Sequence, residues 1–150
     1  MKYKSLIIAI LIPILAGFIG NILGNSSMGY DSINKPIFTP PGIVFPIVWS
    51  ILYILMGISS YIIYKKDRND SGALTIYGLQ LFFNIFWPLF FFNFKLYLFS
   101  FIWLIILLGL VIVMIYKFYK ISKPASLIQL PYLLWLIFAS ILNFSVFLLN

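Results

Sequence analysis

Asn84, Trp87 and Pro88 stand within one apolar run, Leu81-Phe82-Phe83-Asn84-Ile85-Phe86-Trp87-Pro88. Pro88 has no N–H to donate, and its ring displaces the carbonyl four residues back, which belongs to Asn84. A side-chain amide and a freed carbonyl therefore share one place, with Trp87 one turn on along the same helical face. Two other runs repeat this grammar. Pro46, Trp49 and Tyr53 fall on one helix face, and so do Pro131, Trp135, Ala139 and Asn143. Each face offers π surface for stacking, and two of them carry an amide for hydrogen bonding. Two readings compete for these faces: a notch that holds a ligand, and polar glue between helices.

Other chemistries are excluded by what is missing. The chain has no Cys and no His, and its three acids are Asp31, Asp67 and Asp70, which leaves no Glu. Disulfides, thiolate nucleophiles, His- or Cys-based zinc sites and Ser–His or Cys–His pairs are all ruled out. Haem held axially by His or Cys is ruled out with them. The acids lie between the apolar runs, so no general acid–base pair is available inside them. No catalytic residue, metal site or resident cofactor is expected. Aromatics, amides, hydroxyls and shape remain.

The elements that position these residues are membrane spans. Of 150 residues, 63% are hydrophobic, 20% aromatic and only 9% charged, against about 25% charged in a soluble domain. A helical span needs roughly 20 apolar residues, so the length admits four or five. The runs are Ser5 to Gly24, about Val44 to Tyr64, about Ala73 to Asn93, about Tyr97 to Tyr116, and about Pro124 to Leu148. Backbone in lipid must satisfy its own hydrogen bonds, which makes the runs helices. A barrel would need short alternating segments, whereas Ile102 to Ile115 is apolar on every face. The first run is longer than a signal-peptide core and no A-x-A site follows it, so a retained helix is expected. Ser122 is a plausible N-cap for the fifth run, with Pro124 in its first turn. The expected fold is thus an all-α membrane protein, a single five-helix domain over residues 1–150.

Charge sets the expected orientation. With five spans, Lys2, Lys4, Lys65, Lys66, Arg68, Lys117, Lys120 and Lys123 share one side, and Lys35 and Lys95 the other. The positive-inside rule then puts the N-terminus in the cytoplasm and the C-terminus outside. The net charge of +7 is therefore a topology signal that calls for no nucleic-acid partner, although the basic side also suits anionic membrane lipid. Ala16, Gly20 and Gly24 form a small-residue stripe that serves either intramolecular packing or a homodimer seam. Asn21 beside them is expected to bond a neighbouring helix. Trp103 reads as an interfacial anchor, as does Trp49 less well, while Trp135 sits mid-span. The connection from Asn25 to Ile43 is long for a compact bundle. Pro36, Pro40 and Pro41 stiffen it, and Tyr30, Ile33, Ile37 and Phe38 give it apolar surface. It is expected to be an ordered lid.

These residues resemble the TspO/translocator protein family, the tryptophan-rich sensory proteins and the peripheral benzodiazepine receptor. Three blocks carry the resemblance: Tyr30-Asp31-Ser32-Ile33-Asn34-Lys35-Pro36-Ile37-Phe38-Thr39-Pro40-Pro41 with Phe45, Trp49 and Tyr53; Asn84-Ile85-Phe86-Trp87; and Pro131-Tyr132-Leu133-Leu134-Trp135 through Ala139 to Asn143. The resemblance implies a five-helix bundle with a ligand pocket beneath the first loop, lined by Tyr30, Pro40, Trp49, Tyr53, Asn84, Trp87, Trp135, Ala139 and Asn143. It implies porphyrin-like or benzodiazepine-type ligands, and a bacterial cell membrane is the expected location. Gly29 and Phe38 stand where many members have Trp, and Phe144 to Asn150 lacks the Tyr and Lys or Arg of the mitochondrial sterol motif.

The function expected on this basis is a membrane receptor or sensor for a porphyrin-like small molecule, linked to tetrapyrrole homeostasis or stress signalling. One alternative is a transporter of tetrapyrroles or other amphipathic molecules. It has less support, since the spans offer no charge to couple a gradient. A photochemical porphyrin-degrading enzyme, with Trp residues as electron partners, is the other.

Overall fold

The structure, a computed structural model, describes residues 3–24, 33–67 and 71–150. Five helical segments are long and apolar enough to cross a membrane. They are α1 (Lys4–Gly24), α2 (Val44–Lys66), α3 (Ala73–Pro88) prolonged by a π-helical turn (Leu89–Asn93), α4 (Tyr97–Ile121), and a fifth made of α5 (Lys123–Ile128) and α6 (Leu130–Leu149). The described residues contain no strand. Ile, Leu and Phe side chains cover the outside, for example Ile7, Phe18, Ile102, Ile112 and Leu134, as a surface facing hydrocarbon requires.

Three spans match the apolar runs within a residue or two. The other two differ. α4 does not stop at the basic segment but runs on to Ile121. A helix need not end where lipid ends, and Lys117 and Lys120 complement the negative end of the helix dipole. The fifth span is not continuous either. It stops at Gln129 and restarts with Pro131 in the first turn of α6, because Pro131 cannot donate and its ring would strike the carbonyl of Leu127. Ser122 caps α5 as expected, its hydroxyl accepting from the Ala125 N–H at 3.4 Å.

α1 packs on α2 and α3, α4 lies between α3 and α6, and α5 wedges against α2 and α4. Small residues set the closest approaches. A Cβ on Gly57 would lie 2.4 Å from the Ile10 Cα, and one on Gly24 would lie 2.6 Å from the Pro88 Cβ. Gly20 faces the Ile85 backbone in the same way. The stripe Ala16, Gly20, Gly24 is therefore buried inside the chain, where it seats α1 on α3.

A well-filled core, with Met56, Ile63, Leu107, Val111, Met114, Phe118 and Leu136 fully buried, occupies the half of the bundle near α5. α2 and α6 do not close on one another along their length. The gap is filled by aromatic rings and by the cavity described next.

Candidate functional site

Trp49 opens the site because three of its neighbours are rings. It stacks on Tyr53 one turn along α2, with centroids 5.5 Å apart and planes 23° from parallel. It meets Tyr132 and Trp135 of α6 edge-on at 6.2 and 6.4 Å. Phe45 adds a fourth ring against Trp135 at 5.7 Å. Edge-on and offset contacts of this kind are the favoured ring geometries. On the other wall Trp87 stacks on Phe91 at 5.0 Å.

Two asparagines fix these walls. Tyr53 donates its hydroxyl to Asn84 Oδ1 at 2.7 Å, Asn84 Nδ2 donates to the Tyr132 hydroxyl oxygen at 2.9 Å, and Tyr132 donates to Gln80 Oε1 at 2.7 Å. This relay ties α2, α3 and α6 together. Asn143 does the same for α3, α4 and α6. Its Oδ1 accepts from Trp87 Nε1 at 3.0 Å and from the Ser100 hydroxyl at 3.1 Å, and its Nδ2 donates to the Tyr97 carbonyl at 2.9 Å. Both amides are buried, where an unpaired polar group in hydrocarbon would cost several kcal/mol, on the order of a lost hydrogen bond or more. The amides therefore act as glue between helices and as wall fixings together. Trp135 differs: its buried Nε1 has no partner within the described chain.

The rings and amides enclose a cavity of about 780 Å³, within the usual range for small-molecule sites. Trp49, Tyr53, Asn84, Trp87, Trp135, Ala139 and Asn143 all line it. Pro40 is not among the lining residues, although Thr39 and Gly42 beside it are. Tyr30 lies outside the described residues. The segment from Ile33 to Ile43 closes one end. Ile33 is buried against Phe91 and Val146, Phe38 meets Phe138 at 6.3 Å, and Asn150 Nδ2 donates to the Asn34 carbonyl at 2.9 Å.

Sequence reasoning missed several lining or supporting residues. Tyr132 lies three residues before Trp135 and continues its stripe backwards, and Gln80 lies four before Asn84 on the same face. Extending each stripe by one turn finds both. Gly17, whose Cβ would fall 2.2 Å from the Tyr53 ring, has a signal only in its neighbourhood with Gly20. Lys35 had none. Trp103, expected as an interfacial anchor, is also tied into the bundle, donating Nε1 to the Phe83 carbonyl at 2.7 Å and stacking on that ring.

Comparison with known proteins decides the family. Residues 9–149 match the TspO/MBR family. The chain belongs to that family. Among its TspO/MBR relatives, the tryptophan-rich protein TspO of Archaeoglobus fulgidus is 39% identical over 100% of this chain and 99% of its own length. The translocator protein of Ovis aries is 33% identical over 89% of this chain and 83% of its own. The tryptophan-rich sensory protein of Cereibacter sphaeroides is 32% identical over 81% of this chain and 76% of its own. The rings and amides that the sequence lined up by spacing thus sit in an integral membrane protein of the TspO/MBR type.

Proposed function

We propose that this TspO/MBR protein is a membrane receptor or sensor that binds a porphyrin-like or similar flat, apolar ligand, in the service of tetrapyrrole homeostasis or stress signalling. The observation that carries the reading is the cavity of about 780 Å³ lined by three tryptophans, Trp49, Trp87 and Trp135, with the amides of Asn21, Asn84 and Asn143. A flat aromatic ring gains from stacking there, at about 0.5–1.5 kcal/mol per pair beyond area burial. The unpartnered Trp135 Nε1 supplies a donor for a ligand acceptor. Residues 33–43 act as the lid in this reading, packed over the cavity end through Ile33 and Phe38.

Titration of protoporphyrin IX into the purified protein, followed by Trp fluorescence, tests this. Saturable quenching is expected, with an apparent Kd weakened in Trp49→Phe/Trp135→Phe. Equal Kd values in wild type and variant would remove the site. A transporter reading draws on one observation, that the lining includes the lipid-exposed Ile14 and Phe18 of α1. Ligand flux in proteoliposomes that follows an imposed gradient is the result that would favour it.

A further inference from the structure

The chain has two glutamines, Gln80 and Gln129, and both are fully buried. Gln80 accepts from the Tyr132 hydroxyl at 2.7 Å through its Oε1, which leaves its Nε2 without a partner among the described residues. Gln129 leaves both Nε2 and Oε1 unpartnered there. The buried Tyr77 hydroxyl stands beside Ser60 without a hydrogen bond of ordinary geometry. Ser60 donates instead to the Gly57 carbonyl at 3.0 Å.

These groups lie at one level of the bundle. Gln80 and Tyr132 join α3 to α6. Gln129 lies one turn before Tyr132, where α5 breaks from α6, and Tyr77 lies one turn before Gln80 on the same face of α3. As the third and fifth spans, α3 and α6 cross in the same direction, so both steps lead toward the end filled by Phe118 and Ala125. The Tyr77 ring packs on Phe118 at 6.3 Å. Tyr77 and Tyr132 are also near enough to interact electrostatically.

We propose that a bound water bridges Gln80, Gln129 and Tyr77 at the break of the fifth span. A buried amide left dry carries the full cost of its lost hydration, and a buried water recovers that cost by hydrogen-bonding about three such groups. The set here suits water in both senses. Gln80 Nε2 and Gln129 Nε2 donate, Gln129 Oε1 accepts, and the Tyr77 hydroxyl does either. An ion does not suit it, because the buried polar residues described are serines, asparagines and glutamines, with no charge among them to offset its desolvation. Ordered water is also one of the remedies where a proline interrupts a spanning helix, as Pro131 does here. The relay from Tyr53 through Asn84 and Tyr132 therefore does not end at Gln80. It continues through the water to the break between α5 and α6, so that the cavity wall and the break are held as one hydrogen-bonded unit.

The test reads the two amides directly. With isotope-labelled glutamine side chains, the protein in phosphatidylcholine bilayers should give two side-chain amide signals in solid-state NMR, assigned with Gln129→Met. Magnetisation from water is expected to reach both amides in the wild type. In Q129M the transfer to Gln80 is expected to fall several-fold, because the water has lost its partners on Gln129. Thermal unfolding of Gln80→Met, Gln129→Met and the double variant gives a second reading. Groups that share one water are coupled, so the second substitution should lower Tm by less than it does alone. Transfer to neither amide in the wild type would show a dry site and overturn the proposal without recourse to any variant. Undiminished transfer to Gln80 in Q129M, or strictly additive losses of Tm, would overturn the shared water.

Discussion

Asn143 and Trp135 share one face of α6, yet substitution should separate them into different roles. Asn143 satisfies three groups on two other helices: the Trp87 indole, the Ser100 hydroxyl and the Tyr97 carbonyl. Asn143→Leu keeps the volume and strands the Trp87 indole, while the Ser100 hydroxyl and the Tyr97 carbonyl keep each other at 3.0 Å. Interhelical bonds in membranes average well under 1 kcal/mol singly, but losing three at once with the indole donor left buried and unpaired should cost about 1–3 kcal/mol. A clear fall in Tm in detergent is the expected result. Trp135→Phe removes an N–H that bonds nothing among the described residues and keeps most of the ring surface. Its Tm should stay within a degree or two of wild type, by the small size of surplus-donor effects, while porphyrin affinity falls. A Tm loss in W135F equal to that of N143L would mean that Trp135 is structural. The site was legible as far as helical spacing reaches, which is why Trp49, Asn84, Trp135 and Asn143 emerged from the sequence. Tyr132 stood within the resembling block but off the stripe, which was read at spacing four from Pro131. Lys35 was passed over because a loop has no period, and its place depends on where Ile33 docks.

Glycines separate close packing from lipid exposure at the scale of whole helices. A Cβ on Gly57 would meet backbone, the Ile10 Cα and the Ala9 carbonyl at 2.4 and 2.8 Å, and neither can give without moving α1. Gly57→Ala is therefore expected to destabilise by about 1–3 kcal/mol, the usual cost of overpacking, measured as thermal stability in detergent. Gly78 and Gly109 have open space where a Cβ would go. Gly78→Ala and Gly109→Ala should be neutral or mildly stabilising, since Gly in a helix interior costs roughly 0.5–1 kcal/mol relative to Ala. Gly17→Ala acts on function, because its Cβ would push the Tyr53 ring and strain the Tyr53–Asn84 bond, so porphyrin affinity should fall more than Tm. Equal behaviour of G57A and G78A would contradict this packing of α1 on α2. Span limits were legible because lipid forces long uninterrupted apolar runs. The break at Gln129 was less so, since Pro131 at the start of α6 and Pro88 within α3 look alike in sequence. One ends a helix, and the other is absorbed by a π-helical turn (Leu89–Asn93) closed by the Phe94 N–H bonding the Leu89 carbonyl at 2.9 Å.

For the molecule as a whole, the cavity exists because the bundle is well filled at one end and open at the other, and charge follows the same axis. Lys4, Lys65, Lys66, Lys117, Lys120 and Lys123 stand at the ends of α1, α2, α4 and α5 that meet around the packed core. Lys35 and Lys95 stand at the cavity end, with Lys95 in the left-handed region at φ 54° where α3 turns into α4. The excess of basic residues predicts that the packed end faces the cytoplasm and that the cavity opens toward the outer leaflet. The absence of cysteine from the chain makes this directly measurable. In intact cells a membrane-impermeant maleimide should label Lys95→Cys, and should label Lys66→Cys only after lysis. The reverse pattern would place the cavity end on the cytoplasmic side, and ligand would then be sampled from inside the cell. Orientation thus decides which pool of amphiphile the cavity meets, a consequence of where the cations at the packed end lie along the chain.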